Sequence, residues 1–381
     1  MSARRALTAA AVVGLVVTVC GVRSAHRTVV DSVLVPLPHP SDGPAYRGAL
    51  HVHTVRSDGR GDDAAVARAA KRANLDFVIV TDHNVPPLPP AYIDGVLLAR
   101  GVELSTTVGH LLALGVTGAP FVVEREADPF RWTHANAGVA VIAHPLTPAR
   151  PWTEWARVQE AAAIEILSGD SLFHEALRPP WSSLMAALLS FPFNRQTALF
   201  SLYDRPASVL QLWDKLAAQG RMLGLCSADA HGIPPYKDVF EQFVLHVAQP
   251  TSPRSGDAAA DAATLVNLIA AGETFCAVEA LGDAHGFRFE ARSGDRFVPM
   301  GGAVDAPAAL AVRLFYEDVP SDVTIVLLRD GVEMHRSKTA TLDFIATQPG
   351  AYRIEIRRTA HRLYFGDRET TWIYSNPLWV R

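Results

Sequence analysis

Short apolar runs alternate with amphipathic stretches between residues 46 and 282. The apolar runs are too short for helices and occupy residues 50–55, 77–80, 111–114, 139–143, 163–167 and 222–226. Apolar residues recur at helical spacing in the stretches 63–74, 152–162 and 208–219. The short apolar runs predict buried strands, and the stretches with helical spacing predict helices. This alternation predicts an α/β fold with a mostly parallel sheet, and about seven such units fit a closed (β/α) barrel.

Residues 171–204 interrupt this alternation. They contain two consecutive prolines, Pro179 and Pro180, and then an apolar stretch at 184–193 that Pro192 breaks. Short apolar stretches usually belong to a core, so an extra helix packed on the barrel is the favoured interpretation. The alternative is a substrate lid or a membrane-facing loop.

After residue 282 the pattern changes to alternating polar and apolar positions. Strand-like runs occupy residues 309–316, 323–328, 339–345, 351–356 and 371–374, and Asp330-Gly331 is a typical hairpin turn. This pattern predicts a small all-β sandwich over residues 283–381. Because the region carries no clustered metal ligands, we expect a structural or adhesive role, with glycan or partner binding as the alternative.

The first 27 residues have the pattern of a targeting segment. Residues 6–22 carry no charge and are flanked by Arg4, Arg5 and Arg23, which is typical of a signal-anchor or of a long signal peptide. A signal-anchor is favoured because no small-x-small cleavage site follows. Prolines in residues 28–45 predict an extended linker. We therefore expect a membrane-anchored body on the extracytoplasmic side, or a secreted or periplasmic protein if the segment is cleaved.

Composition weakens some classes of partner and of metal site. The net charge of the 381 residues is −4 and 19% of them are charged, so bulk affinity for nucleic acid is not expected. The three cysteines, Cys20, Cys226 and Cys276, lie far apart and indicate neither a disulfide scaffold nor a cysteine-rich zinc site. The fourteen histidines are the unusual feature, and several of them follow predicted strands.

A His-x-His pair lies at the end of the first apolar run. Side chains in a strand alternate between two faces, so His51 and His53 are expected on the same face, where they can clamp a metal ion. Asp58 follows in a turn marked by Ser57 and Gly59, so its carboxylate can fold back toward the pair. The alternative for Asp58 is that it only forms the turn.

Further strands run into the same chemistry. The residues at or beyond their ends are His83, Glu103, His110, His144, Asp229 and His231. Because a barrel brings the carboxyl ends of its strands to one mouth, these side chains are expected to converge there. His110 precedes an apolar run, so the alternative is that it only starts a strand. Asp82 is expected to orient His83 rather than to bind metal.

The order and spacing of these motifs resemble those of the PHP (polymerase and histidinol phosphatase) superfamily of metal-dependent phosphoesterases. The matching segments are His51-x-His53 with Ser57-Asp58-Gly59, Thr81-Asp82-His83, Gly101-Val102-Glu103, Ala143-His144-Pro145 and Ser227-Ala228-Asp229-Ala230-His231. The resemblance spans residues 46–282 and implies a distorted seven-stranded α/β barrel with a centre of two or three metal ions. With its anchor and C-terminal β-domain, the chain looks like an exported, membrane-linked branch of this family.

The resemblance also implies how the ligands divide. His51, His53, Glu103 and Asp229 would hold one metal ion, and Glu103 would bridge to a second ion held by His110 and His144. Asp58, His83 and His231 would hold a third. Glu103, Asp229 and His231 are the residues expected to act most directly in catalysis.

The donor types agree with this expectation. Imidazoles and carboxylates suit zinc, manganese or iron, and a bridging glutamate can hold two cations about 3.5–4 Å apart. Such a pair lowers the pKa of bound water toward about 7 and so supplies hydroxide as the nucleophile. The sequence shows no nucleophile elbow, glycine-rich phosphate loop or dinucleotide fingerprint, which weakens the serine-hydrolase, kinase and dehydrogenase alternatives.

The predicted function is therefore that of a metal-dependent hydrolase, and within that class a phosphoesterase acting on a small molecule. Arg56, Arg60 and Lys237 lie near the metal motifs and are candidates to receive a phosphate, although such charges are as often solvated. The same centre could hydrolyse a carbamate, an amide or a carboxylic ester, since it activates water whichever electrophile is present. The alternative from another class is a PHP-like structural or binding module without activity.

Overall fold

The structure is a computed structural model that describes residues 3–26, 30, 34–37, 46–120, 128–203, 206–247, 254–362 and 366–381. Most of the predicted linker at 28–45 therefore lies outside the described residues. Helix α1 (Ala3–His26) precedes it. Within the described part of the chain, the segment Arg4–Gly21 of α1 is the one helical stretch long and apolar enough to cross a membrane. This helix has the properties of either a membrane anchor or a signal sequence.

The sheet of the first region contains both parallel and antiparallel pairs. Its strands are β1 (Tyr46–Val52), β2 (Phe77–Val80), β3 (Ala91–Ile93), β4 (Val96–Thr106), β5 (Gly109–Leu114), β6 (Val139–Ile142), β7 (Ala163–Ser168), β8 (Leu223–Ser227), β9 (Phe243–Val247) and β10 (Thr274–Val278). Neighbours follow the order β10, β9, β1, β2, β4, β5, β6, β7, β8. The pairs β1–β2, β2–β4, β6–β7 and β7–β8 are parallel, whereas β5 is antiparallel to both of its neighbours. The fold is thus mixed α/β, with more antiparallel pairing than the sequence predicted.

The strands from β1 to β8 form an arc whose two ends meet beyond β8. Backbone hydrogen bonds run from Ala228 N to Leu50 O (2.8 Å), from Ala230 N to His51 O (3.2 Å) and from His53 N to Ala230 O (3.0 Å). The first residues of β1 pair instead with β9, antiparallel. These bonds join the arc at its carboxyl ends, and the distorted seven-stranded barrel that the sequence analysis expected stays a prediction.

The helices connect these strands. They are α2 (Asp63–Arg72), α3 (Pro129–Ala135), α4 (Gly169–Ala176), α5 (Ser182–Ser190), α6 (Arg195–Leu202), α7 (Ala207–Gln219), α8 (Tyr236–Phe240) and α9 (Ala258–Ala271). Helix α2 begins after Asp62, whose side chain accepts a hydrogen bond from Ala65 N. The helix predicted at 152–162 is instead a short 3₁₀ helix, Trp155–Glu160. That segment buries Val158 alone among its residues, too small an apolar face to sustain a longer helix.

Three helices, α4 to α6, occupy the segment that interrupts the predicted alternation. They share a small apolar cluster of Ala176, Ala187 and Leu202, with Phe173 and Leu199 packed against it. A single extra helix was the favoured interpretation, and the structure has three short ones. Large apolar side chains on α5 remain exposed.

Mostly antiparallel strands follow residue 282, as the alternating pattern predicts. They are β11 (Phe287–Ser293), β12 (Arg296–Pro299), β13 (Ala303–Val304), β14 (Ala308–Leu314), β15 (Thr324–Arg329), β16 (Val332–Ser337), β17 (Thr341–Ala346), β18 (Gly350–Arg362), β19 (Gly366–Ser375) and β20 (Leu378–Val380). One sheet has the order β12, β11, β14, β17, and β15, β16 and β18 to β20 lie in the other. The predicted turn at Asp330-Gly331 joins β15 to β16, and both turn residues have positive φ.

The C-terminal strands continue the sheet of the first region. Strand β19 pairs antiparallel with β10 through residues 373–375 and 275–277. One buried apolar core likewise extends from Leu50 on β1 to Phe287 on β11 and Ile354 on β18. The predicted boundary between 282 and 283 therefore separates two patterns of sequence, but one sheet and one core cross it.

Candidate metal centre

A bulge in β1 sets the position of the His-x-His pair. The pairing of β1 with β2 shifts register between Leu50 and Val52, which leaves His51 as the extra residue. His51 has φ 65°, a left-handed conformation that residues other than glycine rarely adopt. The strict period of two therefore does not hold here, yet His51 and His53 still approach the same carboxylates.

Glu103 lies at the centre of the cluster and is almost completely buried on β4. Five imidazoles surround its two carboxylate oxygens. From Oε2 the distances are 2.9 Å to His51 Nε2, 3.1 Å to His53 Nε2 and 3.2 Å to His83 Nδ1. From Oε1 they are 2.6 Å to His110 Nδ1 and 3.2 Å to His144 Nε2. Each oxygen thus faces its own set of imidazoles.

The antiparallel direction of β5 explains how His110 reaches Glu103. His110 is the second residue of β5 and lies opposite Ser105 of β4. Because β5 runs against β4, its first residues lie at the edge where the parallel strands end. The sequence left open whether His110 starts a strand or takes part in the site. It does start the strand, and this start lies beside Glu103.

Asp229 follows β8 and approaches from a second side. Its Oδ1 lies 3.4 Å from Nε2 of His51 and 3.4 Å from Nε2 of His53. Its φ is 45°, so Asp229, like His51, holds a left-handed backbone conformation. Such conformations persist where the surrounding structure enforces them, and they are common at functional sites.

Asp58 approaches from the solvent side. Its Oδ2 lies 3.5 Å from Nε2 of His83 and 3.5 Å from Nε2 of His231, and its Oδ1 lies 3.5 Å from Nδ1 of His53. The side chain of Asp58 is 53% exposed, whereas that of His53 is fully buried. Asp58 thus closes the outer end of the cluster, and it also lies in the predicted turn.

The structure brings all nine predicted ligands together. They fall into four groups whose donor atoms lie within 4.8 Å of one another, namely His53, Asp58, His83 and His231; His51, His53 and Asp229; His51, Glu103 and His144; and His83, Glu103 and His110. The groups overlap more than the resemblance implied, since His53 also joins the group of Asp58. Which residues hold which ion stays a prediction.

Glu165 belongs to the site, although the sequence analysis did not single it out. It is buried on β7, and its Oε1 lies 2.8 Å from Nδ1 of His51. Its Oε2 accepts a hydrogen bond from the backbone N of His144 at 2.8 Å. A lone carboxylate inside an apolar strand was the available signal, because a buried charge needs partners.

Asp82 has a different role from the one predicted. Its carboxylate accepts hydrogen bonds from the backbone N and the hydroxyl of Thr54 and from Ser57 Oγ, each at 2.7 Å. It therefore holds the turn that carries Asp58. Nδ1 of His83 lies 3.0 Å from Ser105 Oγ, in addition to its contact with Glu103.

The carboxylates shift the pKa values of the imidazoles. Burial disfavours the charged forms of His53 and His144, but Asp229 and Glu103 outweigh it and raise the pKa of each histidine to about 9. For Glu103, burial is likewise outweighed, chiefly by His51, and the pKa is lowered well below its usual range. Burial dominates at His83 and lowers its pKa to about 4.

Two buried imidazole nitrogens, Nε2 of His53 and Nδ1 of His144, have no hydrogen-bond partner among the described residues. A buried polar atom left unpaired costs about 1–3 kcal/mol. Nε2 of His53 nevertheless lies 3.1 Å from a Glu103 oxygen and 3.4 Å from an Asp229 oxygen. An imidazole nitrogen and carboxylate oxygens at such distances can all bind the same cation. Since imidazoles and carboxylates are donors for zinc, manganese and iron, the residues present fit a metal centre.

Two of the cavities that adjoin the cluster are each lined by an arginine that the sequence analysis did not single out. One of about 470 Å³ is lined by His144, Glu165 and Arg178, among others. Another of about 440 Å³ is lined by His83, His110 and Arg150, among others. Arg178 is far in sequence from every metal motif, whereas Arg150 lies six residues after His144, the same spacing as that of Lys237 after His231.

The three predicted substrate residues lie around the cluster with other contacts of their own. The Arg56 guanidinium donates to the carbonyl of Pro86 at 2.7 Å, and Lys237 of α8 forms an ion pair with Glu241, which directly follows that helix. The backbone N of Arg60 donates to the carbonyl of His231 at 2.9 Å. Their contact with a substrate stays a prediction.

No protein-family model matches the chain, and no curated protein matches it. Among solved structures, it is similar to a two-domain protein from Bacteroides vulgatus that contains a predicted PHP-like metal-dependent phosphoesterase. The TM-score is 0.36 and the identity 13%, over 91% of this chain and 98% of that one. It is also similar to an amidohydrolase from Chromobacterium violaceum, with a TM-score of 0.23 and 16% identity over 34% of this chain and 81% of that one. Similarity at these scores does not indicate the function of this chain.

Proposed function

We propose that this protein is a metal-dependent hydrolase of phosphoesters that works at a centre of two or three divalent cations, such as zinc, manganese or iron. The observation that carries the proposal is the environment of Glu103, whose two buried oxygens face separate sets of imidazoles. A carboxylate in this setting can bridge two cations.

The donors around Glu103 divide among the proposed cations. His51, His53 and Asp229 would hold one, His110 and His144 a second, and Asp58, His83 and His231 a third. When bound, such cations lower the pKa of water toward about 7 and neutralise negative charge on the substrate.

The protein contributes the surroundings that this chemistry needs. His51, His53 and Glu103 are buried and exclude bulk water from the inner side, while Asp58 and His231 leave the outer side accessible. Burial of Asp229 is outweighed, chiefly by His51, so its pKa is lowered and the carboxylate is ionised at neutral pH. An ionised carboxylate here can orient a water molecule or accept its proton.

Two arginines favour a phosphoester over an uncharged substrate. Arg178 and Arg150 each line a cavity beside the cluster, where a guanidinium can pair with phosphate oxygens. Leu146, Pro148 and Leu172 line the larger cavity as well. Such an apolar wall would hold the organic part of a phosphoester, but it equally suits a carbamate, an amide or a carboxylic ester, which is the alternative substrate class.

A binding module without activity is the alternative from another class of function. The complete set of metal donors argues against it.

We also propose that α1 anchors the protein to a membrane, with the remaining chain on the extracytoplasmic side. The support is the length and apolar character of Arg4–Gly21. Residues 283–381 would serve as a structural extension of the same sheet.

The test is a substrate panel combined with elemental analysis of the purified full-length protein. We expect two or three first-row metal ions per chain and faster hydrolysis of aryl phosphate monoesters or diesters than of carbamates and carboxylic esters, with manganese or zinc supplied. Hydrolysis of carbamates or carboxylic esters alone would move the proposal to the alternative substrate class. A well-folded protein that retains no metal would contradict the hydrolase itself.

A further inference from the structure

Helix α5 carries its large apolar side chains on the outside. We use the name apolar ridge for Trp181, Met185, Leu188, Phe191 and Phe193, which are between 39% and 59% exposed. The first three lie four and three residues apart, which places them on one face of the helix. The residues that α5 buries are Ala186, Ala187 and Ser190. This is the reverse of an ordinary surface helix, whose large apolar side chains face the core.

The apolar ridge is continuous with α1. Gly21 of α1 lies against the ring of Phe193, so closely that a Cβ atom at Gly21 would come within 2.3 Å of it. The segment Arg4–Gly21 is only 6% buried, although it is apolar enough to cross a membrane. Two exposed apolar surfaces thus meet at the contact of Gly21 with Phe193. A bilayer that accommodates the end of α1 would also reach this ridge.

The charges around the apolar ridge suit an anionic lipid surface. Residues 176–203 contain Arg178 and Arg195 and no aspartate or glutamate, with Glu175 and Asp204 on either side. The Arg195 side chain is 58% exposed and also pairs with Asp238 at 3.2 Å. The guanidinium of Arg195 lies 5.4 Å from the ring centre of Phe191, so it sits directly beside the ridge. Exposed tryptophan next to basic residues is the composition of segments that lie at the membrane interface.

We propose that the apolar ridge is a second membrane-contacting surface, which lies in the interfacial layer of a bilayer containing anionic phospholipid while α1 crosses that bilayer. Arg178 borders the ridge and also lines the cavity that contains His144 and Glu165. This contact would therefore hold one side of that cavity next to the lipid headgroups. The inference rests on the proposed membrane anchor but not on the proposed chemistry, and its test uses no activity measurement.

The test places a fluorescent probe on the ridge of the full-length protein. Cys226 and Cys276 are buried, so Cys20→Ser provides a background in which an introduced cysteine can be labelled selectively. The probe, an environment-sensitive fluorophore, is attached to Leu188→Cys. The matched control is Ile345→Cys on β17, because Leu188 and Ile345 are both 59% exposed. Both proteins are reconstituted in vesicles of phosphatidylcholine and phosphatidylglycerol, with and without brominated acyl chains.

We expect the probe at position 188 to shift to shorter wavelength and to lose most of its fluorescence with brominated lipid, while the probe at 345 changes in neither respect. Equal, water-like signals from both positions in vesicle-bound protein would overturn the proposal. Disulfide formation between unlabelled Leu188→Cys chains, with no quenching of the labelled protein by brominated lipid, would also overturn it, because the ridge would then be covered by a second copy of the chain.

Discussion

Oε1 of Glu165 and Nδ1 of His51 lie 2.8 Å apart between two fully buried side chains. A carboxylate at this distance accepts the Nδ1 proton, so Nε2 of His51, which faces Glu103 and Asp229, is left free for a cation. The other oxygen of Glu165 fixes the backbone of His144. One side chain on β7 therefore orients two candidate ligands from β1 and from the end of β6.

Glu165→Gln should weaken metal binding without removing any proposed ligand. The amide offers one acceptor oxygen where the carboxylate offers two, so either His51 or the His144 backbone loses its partner. Loss of such an orienting contact typically costs about 10–100-fold in metal affinity. Competition titration against a chromophoric chelator measures it. Glu355→Gln is the matched control, since Glu355 is equally buried but pairs with Arg353 and Arg357. Unchanged affinity in a folded Glu165→Gln protein would show that the contact is only structural.

Glu103→Gln should lower the metal content and abolish hydrolysis together. An amide cannot serve both sets of imidazoles as an anionic bridge, so the cations on either side lose their shared ligand. Elemental analysis and the substrate assay are made on the same preparation. Glu279→Gln is the control, because Glu279 contacts His246 Nε2 at 2.7 Å outside the cluster. Full activity of Glu103→Gln would refute the bridging assignment.

Asp58→Asn should spare the ion held by His51, His53 and Asp229 and weaken the outer one. Asp58 is the exposed member of its group, and its oxygens lie 3.5 Å from three imidazoles. Because the outer ion and the ion held by His51, His53 and Asp229 occupy separate sites in this proposal, we expect elemental analysis to show about one metal ion fewer per chain. Asp94→Asn, in another exposed turn, controls for the substitution itself. Loss of every metal ion would contradict the separation of the sites.

Metal binding at pH 8 should release protons. The pKa values of about 9 mean that His53 and His144 are mostly protonated at this pH without metal, whereas a cation binds the neutral imidazole. The release should shrink as the pH rises past these pKa values, because fewer protons remain to be displaced. A pH indicator in weakly buffered solution follows the release during zinc titration. Tight zinc binding at pH 8 with no change in proton concentration would show that His53 and His144 are not protonated before the metal binds.

The strands and the nine candidate ligands could be predicted because their signals are local. A short apolar run followed by histidine or aspartate marks the end of a buried strand wherever the chain later places it. His51 shows the limit of such reasoning, since the bulge that positions it depends on the neighbouring strand β2. Glu165 shows another, because its partners His51 and His144 are 114 and 21 residues away in sequence.

The pairing of strands that are far apart in sequence could not be predicted from the sequence either. Periodicity predicts that residues 371–374 form a strand, but not that this strand lies beside β10. The edge of a sheet can pair with any strand that reaches it, so its partner is decided by the whole fold. For the same reason, Asp82 holds Thr54 and Ser57 rather than its sequence neighbour His83.

Because β10 pairs with β19 and one core spans both regions, we expect the two regions to unfold together. A chain ended at residue 282 would leave the edge of β10 open and the shared core exposed, which favours aggregation. Ligand binding stabilises whatever unfolds together with the binding site. Metal binding should therefore also stabilise the C-terminal strands against unfolding, although they contribute none of the metal ligands.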